Sequence, residues 1–460
     1  MLRFFILTFG CRSNQADSAA IRESLFRRGM VESGETFADA DIVIVNTCTV
    51  THRSDKQVRQ AVRKIHRETP RAKIVVTGCY AQRDAATLAA LEGVVLVAGN
   101  AEKSRLAELL ENAETSGNPP VGKVGKVGKI CCSPLVTIDA ATAQKEESSG
   151  QVPVSPMTHT GGKTRPLVKL QDGCDNRCAY CIVPSVRGPA RSARPERVLA
   201  EIRSLIDGGF REIVLTGINL GGYGHRIENH LRLSELLRQI VALPGLGRIR
   251  LSSIEPIFCD EEIVRIAAGS PVLAQHFHIP LQSGSDRVLR AMRRPYTTAR
   301  YRGLLELIRR ELPDAGLGTD VIVGFPGETE QDFEETRRLL QELPLSYMHV
   351  FPFSPREGTE AFSLPDQVLS QVIKERTAQI LDLGRVKNLE FRQRFLGRTL
   401  PAITLAKEEA EGGPVVLTHN YIHAHVPGLA ATPNRLVDVR IEEVRADATS
   451  ASVQAVEREP

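Results

Sequence analysis

Short apolar runs rich in Val and Ile alternate with stretches of helical period over the first hundred residues. The runs are RFFILTF, DIVIVNT, KIVVTG and VVLVAG, at residues 3–9, 41–47, 73–78 and 94–99. Runs that stay apolar at successive positions belong to strands covered on both faces, the mark of a parallel sheet. From 166 to about 365 the alternation resumes with RPLVKLQ, REIVLTG, GRIRLSS, QHFHIPL, LGTDVIVGF and SYMHVFPF. Six such strands with helices between them fit a partial TIM-like barrel, with chemistry expected at the strand C-termini. Residues 366–395 read as a charged amphipathic helix. The segment 396–445 (LPAITL, GPVVLTHNYIHAHV, RLVDVRIEEV) reads as a small β-barrel, and the last dozen residues read as loose.

The stretch from 115 to 165 differs in kind. It holds SGNPP, the repeat VGKVGKVGK and ESSGQVPVSP, a Gly/Pro/Ser-rich linker with an insert too short for a repeat fold. The predicted architecture is therefore α/β, with an open parallel sheet over 1–114, a flexible linker over 115–165, a partial barrel over 166–395 and a small β-barrel over 396–450. A chain of 460 residues suits such a division, and 42% hydrophobic with 25% charged residues is a globular balance. The net charge of +4 permits an RNA partner without requiring one. With no Trp and 5% aromatics, a broad base-stacking platform is not expected.

The opening MLRFFILTFGC has too short an apolar run for a signal peptide and no small-residue cleavage site, and no stretch reaches the roughly 18 apolar residues of a span. A cytoplasmic protein without a membrane partner is the expectation. In that compartment the nine cysteines stay reduced, and an ordered pattern among them signals metal or catalysis rather than disulfides.

Three cysteines fall close together: DGCDNRCAYCIVP sets Cys174, Cys178 and Cys181 at C-x3-C-x2-C spacing. Structural zinc wants a closed set of four ligands, usually two C-x2-C or C-x2-H pairs. No second pair lies in the chain, and the next cysteine is the distant Cys259. An iron–sulfur cube also takes four protein ligands as a rule. Supplied with three, it keeps one iron open to an outside ligand. Cys11, Cys48 and Cys79 form another set of three, each just past the C-terminal end of a predicted strand (LTFGC, IVNTC, VVTGC). In open α/β sheets those edges share one crevice. The plainer alternative is three unrelated buried cysteines; their common register speaks against it.

C-x3-C-x2-C just after the first barrel strand resembles the signature of radical S-adenosylmethionine (SAM) enzymes. Nearly the whole chain is similar, motif by motif and in order, to the methylthiotransferase family of that superfamily. The motifs are GCRSNQADS, VNTCTVT, TGCYAQ, DGCDNRCAYCIVPSVRG, LTGINLGGYG, LSSIEP, PLQSGSDRVLRAMRRPY, DVIVGFPGETEQDF and FPFSPREGTEA. The resemblance implies a radical SAM core, a C-terminal TRAM module and two 4Fe–4S clusters. Cys11, Cys48 and Cys79 would hold the auxiliary cluster, and Cys174, Cys178 and Cys181 the SAM-cleaving one. In the family one SAM caps the open iron and is cleaved to a 5′-deoxyadenosyl radical, while another methylates a sulfur held at the auxiliary cluster. The net reaction turns C–H into C–SCH3, and it implies a reducing electron-donor protein and a sulfur donor as partners. The resemblance also sets SAM contacts at Thr216, Gly217 and Asn219 (LTGIN), Glu255 (SSIEP), and Gln282 and Ser283 (PLQSGS). Ser, Asn and Gly beyond a strand also serve ordinary turns. His276 and His278 alternate on one strand face and are expected in core or hydrogen-bonding duty. The adjacent Cys131 and Cys132 receive no ligand role.

Branches of the family act on an adenosine beside the tRNA anticodon (position 37) carrying an isopentenyl or a threonylcarbamoyl group, or on an aspartate of a ribosomal protein. KLQDGC and the segment from NTCTVT to TGCYAQ are most similar to the threonylcarbamoyl branch. Charge agrees with a tRNA substrate: His52 to Lys73 holds eight Lys or Arg against Asp55 and Glu68. Positive potential beside Cys48 would dock a phosphate backbone, although a solvated basic face looks the same. Small β-barrels commonly bind RNA, and Tyr421 in HNYIHAH is a candidate stacking ring. A remote alternative is a non-enzymatic metal-containing RNA-binding protein.

Overall fold

A computed structural model of the chain describes residues 1–115, 129–133, 164–224, 231–406, 413–429 and 432–456. The SGNPP and ESSGQVPVSP stretches and most of the Val-Gly-Lys repeat lie outside them.

The four N-terminal runs are strands of one sheet. β1 (Arg3–Thr8), β2 (Val31–Glu32), β3 (Ile42–Thr47), β4 (Lys73–Gly78), β5 (Val94–Ala98) and β6 (Lys129–Cys131) lie in the order β2-β1-β3-β4-β5-β6. Every pairing is parallel. Central β3 is buried at every position because helices cover both faces. Ile42 and Ile44 pack with Ile21 and Leu25 of α1 (Arg12–Phe26). Val43 and Val45 pack with Val58, Val62 and Ile65 of α2 (His52–Glu68). The unbroken apolar run follows directly.

The linker reading needs one correction. Lys129–Cys131 is a strand, not linker: it pairs with Leu96–Ala98 of β5 and so fills the backbone groups of an otherwise open edge. A three-residue strand after a Val-Gly-Lys repeat leaves no periodic signal.

All six later runs are strands too. β7 (Leu167–Asp172), β9 (Glu212–Gly217) and β10 (Arg248–Leu251) are parallel, with the short β8 (Arg191–Ser192) antiparallel to β7. β11 (His276–His278), β12 (Gly316–Val323) and β13 (Tyr347–Pro352) form a second parallel group. A parallel bridge between Ile249 and Leu273 joins the two groups into one open arc, the expected partial barrel. Leu317, Val321 and Val323 of β12 face the helices and join Leu305 and Leu340 in the core. Polar residues point the other way. Inside, Glu212 accepts from Arg250 at 2.8 Å and lies 3.3 Å from both Arg248 and Arg165. Burial alone would raise its pKa; the guanidiniums, Arg250 foremost, instead bring it down to about 2.

The helix Ser370–Gln393 leads into the C-terminal barrel. β14 (Thr399–Thr404), β15 (Val415–Thr418), β16 (His423–His425), β17 (Leu436–Val444) and β18 (Thr449–Val456) close in the order β14-β15-β16-β18-β17. The last dozen residues are therefore not loose through Val456, and this barrel runs past 450. TSASVQAV is small and polar, so its apolar pattern is weak. It is ordered because β17 and β16 both need a partner for the ring to close.

A further correction concerns Tyr421. In the turn between β15 and β16 it has φ +77°, and its ring stacks on His276 of the larger barrel at 4.1 Å. The ring is thus committed inward and is not an open platform for a base. No helix among the described residues is long and apolar enough to cross a membrane.

Candidate active site

β1, β3 and β4 are neighbours, so the cysteines that follow them stand side by side at one sheet edge. Cys11 immediately precedes α1, Cys48 follows β3, and Cys79 opens a short helix after β4. Glycines make the approach possible. Gly10 has φ +93°, and a Cβ there would lie 2.5 Å from Cys48 Cβ; Gly78 has φ +102°, and a Cβ there would lie 2.5 Å from the Thr47 carbonyl. Cys48 and Cys79 are buried and Cys11 is exposed. Burial, reinforced by the neighbouring Cys79 and Cys11, pushes the Cys48 thiol up to about 11.

The other triplet occupies the loop after β7. Cys174 N donates to Gly188 O at 3.1 Å, and Cys181 N to Cys178 O at 3.1 Å. Arg294 Nη1 donates to Cys178 Sγ at 3.1 Å and also pairs with Glu255. Burial pushes Cys174 up to about 11 and Cys181 to about 12. Three thiolates per set are the donor chemistry of an iron–sulfur cluster that leaves one iron to an outside ligand, whereas structural zinc takes a closed set of four. Loading either set must release the thiol protons.

The two triplets meet at one junction. Cys79 packs with Ile182 and Val186, the residues just beyond Cys181. Arg187, 2% exposed, ties the sides together. Its Nε donates to Cys79 Sγ at 3.3 Å, its Nη1 to Asp172 at 2.7 Å, and its Nη2 to Asp17 at 3.0 Å. Lys169 and Lys103 add further positive charge at Asp17. Beside Cys48, buried Arg356 donates to Thr49 Oγ1 and to Asp55, each at 2.6 Å. Arg187 and Arg356 escaped the reading of the sequence. Lys169, a charge inside the doubly covered run LVKLQD, was the one available hint of a buried ionic partner.

The expected SAM contacts fall as follows. Thr216 and Gly217 end β9. Asn219 N donates to Gln171 Oε1 at 2.7 Å, while its own Oδ1 is buried without a partner. Asn219 lines a cleft of about 530 Å³ together with Asp175 and Asn176, which stand between Cys174 and Cys178. Burial raises the Glu255 carboxyl in spite of Arg294. Gln282 adopts φ +69°, and its main chain bridges to Val321. The Ser283 hydroxyl accepts from Ser285 N at 3.2 Å and lies 3.4 Å from Thr336 Oγ1. His276 Nε2 meets the Tyr347 hydroxyl at 2.8 Å and His278 Nδ1 the Ser253 hydroxyl at 2.7 Å, both hydrogen-bonding duties. His278 also stands with Asp320 and His349. Against the effect of burial, these two imidazoles lower Asp320 to about 2.

The Radical SAM superfamily model matches residues 168–340, and that of uncharacterized protein family UPF0004 matches 3–99. The threonylcarbamoyladenosine tRNA methylthiotransferase MtaB of Bacillus subtilis is 34% identical over 94% of this chain and 92% of its own length. The MtaB of Aquifex aeolicus is 36% identical over 90% and 94%. The chain belongs to the radical SAM methylthiotransferase family. Another relative of this methylthiotransferase, a tRNA-2-methylthio-N(6)-dimethylallyladenosine synthase of Clavibacter michiganensis, is 34% identical over 99% of this chain and 84% of its own. Among solved structures, the radical SAM methyltransferase TsrM of Kitasatospora setae superposes with TM-score 0.55 at 18% identity, over 79% of this chain and 77% of that one. That likeness is one of fold. As a member of its family the methylthiotransferase uses SAM and 4Fe–4S clusters, and the donor chemistry of its two sets of three thiols fits such groups.

Proposed function

We propose that this methylthiotransferase acts on tRNA, converting N6-threonylcarbamoyladenosine beside the anticodon to its 2-methylthio derivative. In this reading Cys11, Cys48 and Cys79 hold the auxiliary cluster, and Cys174, Cys178 and Cys181 hold the SAM-binding one. The two-cluster part of this reading is supported by the packing of Cys79 on Ile182 and Val186, which brings the sheet edge carrying one triplet against the segment that follows the other. When bound, the clusters and SAM supply one-electron chemistry, which a C–H bond without an acidic proton or leaving group requires.

The chain's own residues hold and tune. Arg187 and Arg294 each aim a guanidinium N–H at a ligand sulfur, a contact that favours the charged thiolate and shifts cluster potential. Asn219 offers its unfilled acceptor to the amino group of SAM, with Thr216, Gly217, Glu255 and Gln282 on neighbouring strand ends. Ser283 follows Gln282, its hydroxyl also accepting from Ser285 N. A reducing protein and a sulfur donor complete the partners.

The surface of α2 supports a tRNA substrate. Arg53, Lys56, Arg63, Lys64 and Arg67 are exposed, whereas the acid Asp55 is buried with Arg356 and Arg83. The face is therefore more cationic than its composition. Lys64→Ala should weaken binding of every tRNA alike and lower the slope of log K against log salt by about 1, read by fluorescence anisotropy. Mutation with no change in slope would remove α2 from the interface.

Relatives bearing the threonylcarbamoyl name and the dimethylallyl name are similarly identical, so the substrate is decided by nucleoside mass spectrometry. A deletion strain should lose 2-methylthio-threonylcarbamoyladenosine and accumulate its unthiolated precursor. Loss of the isopentenyl product instead would transfer the enzyme to the other tRNA branch, and an unaltered tRNA profile with unmodified ribosomal protein to the third.

A further inference from the structure

The inner face of the large barrel holds more arginine than acid. Arg165, Arg248 and Arg250 share the single carboxylate of Glu212. Cross-strand register sets His276 against Gly316, His278 against Gly318 and Asp320 against His349, so these side chains line the same face. A fourth guanidinium enters from the N-terminal sheet. Arg12, the residue after Cys11, donates through Nη2 to the Tyr421 hydroxyl at 3.1 Å. Tyr421 stacks on His276, and Arg250 lies 5.3 Å from the centre of its ring. Among the described residues Arg12 has no carboxylate partner, and it is half-buried. The surroundings record the excess charge: burial, then Arg250, His278, Arg12 and Arg165, holds His276 well below the ordinary histidine range. An underpaired guanidinium in a partly desolvated place is costly unless an anion completes it.

We infer that Arg12 binds the carboxylate of the substrate's N6 substituent and thereby selects threonylcarbamoyladenosine over adenosines with apolar substituents; this rests on the tRNA substrate proposed above. A guanidinium presents parallel N–H donors that match a carboxylate. On the proposed nucleoside the threonylcarbamoyl group carries the carboxylate, and Arg12 adjoins the auxiliary triplet where the reacting base must come. An isopentenyl group would set hydrocarbon against an unpaired cation. A site built around such a donor rejects ligands lacking the acceptor far more strongly than an apolar pocket rejects a wrong shape. The rival anion is a backbone phosphate, which would bind the same arginine without reading the base.

The test uses reconstituted holoenzyme and anticodon stem-loops carrying threonylcarbamoyladenosine, its carboxyl methyl ester, or isopentenyladenosine. Wild type, Arg12→Gln and Arg12→Lys are compared in kcat, KM and Kd by anisotropy, with iron content and circular dichroism confirming intact protein. The wild type should bind the acid about tenfold or more tighter than the ester, the scale of one charged hydrogen bond. Arg12→Gln should raise KM and Kd for the acid by that factor, leave those for the ester within about twofold, and change kcat little. Arg12→Lys, which keeps the charge without the fork, should recover part of the loss and decides the matter should Gln fail to fold. Equal weakening of acid and ester would assign Arg12 to a phosphate or to structure and overturn the inference. So would an unchanged KM for the acid. A wild type that modifies the isopentenyl stem-loop and ignores the acid would instead overturn the substrate reading itself.

Discussion

Cys79→Ala is expected to lower bound iron from about eight to about four per reconstituted chain and to abolish the methylthiolated nucleoside while 5′-deoxyadenosine release continues. The two triplets are held by separate backbone. Cys79 opens a helix whose start depends on Thr47 Oγ1, which accepts from Tyr80 N at 3.1 Å and Ala81 N at 3.2 Å. Cys174 and Cys181 are anchored within their own loop by Gly188 O and Cys178 O. Removing one sulfur at the sheet edge leaves two ligands for a cube, too few to hold it, and does not move the other loop. Cys11→Ala and Cys48→Ala should behave alike, whereas Cys178→Ala should end SAM cleavage as well. Cys131→Ala is the internal control: its backbone ends β6 and its thiol is two strands from Cys79. Iron quantitation with nucleoside analysis reads all of these, and a Cys79→Ala enzyme with full iron and full product would refute the assignment of an auxiliary site.

Arg187→Leu should cost about 3–5 kcal/mol in urea unfolding, the usual price of breaking one side of a buried ionic set. The variant strips Asp172 of its 2.7 Å partner and Asp17 of one of three cations. Both carboxyls are buried; burial alone would raise their pKa values, but Arg187 and the lysines bring both below the ordinary carboxylate range. A pKa depressed on folding contributes stability that is present above the unfolded value, near 4, and is lost as pH falls through the folded value. Wild-type stability should therefore drop as pH is lowered below about 4, and Arg187→Leu should flatten that drop. Asp17→Asn in the same background should add less than it does alone, because the two share one network. A variant as stable as wild type at neutral pH would show that the junction is held by packing and not by charge. Because Arg187 also donates to Cys79, the same substitution should shift the auxiliary cluster's reduction potential, which Arg356→Leu beside Cys48, with no sulfur contact of its own, should alter less.

Strand positions were readable because burial on both faces leaves no room for polar residues, and the runs DIVIVNT and KIVVTG carry that constraint openly. The placement of the six cysteines was readable because three follow the apolar strand runs directly and three crowd into the one loop after LVKLQD. Three kinds of feature were hidden. β6 and β18 are strands only because a neighbour's edge needs a partner. Ser283 reads as a cofactor contact in PLQSGS, and only the structure shows that its hydroxyl also accepts from Ser285 N in the following turn. Tyr421 looks like an exposed ring between histidines, yet a left-handed turn swings it onto His276. For the strands and the ring the deciding partner is remote in sequence or set by a single backbone angle.

The sequence by itself determined the α/β architecture, the two sets of three thiols and their place at the strand ends, since periodicity and ligand spacing are local properties. Tertiary structure alone decided that the sets face one junction, that Arg187 spans it, and that Arg12 stands with the barrel's arginines. Asp17, Cys79, Asp172 and Arg187 come together from distant parts of the chain. Charge pairing and desolvation depend on distance in space, which no local pattern of residues encodes.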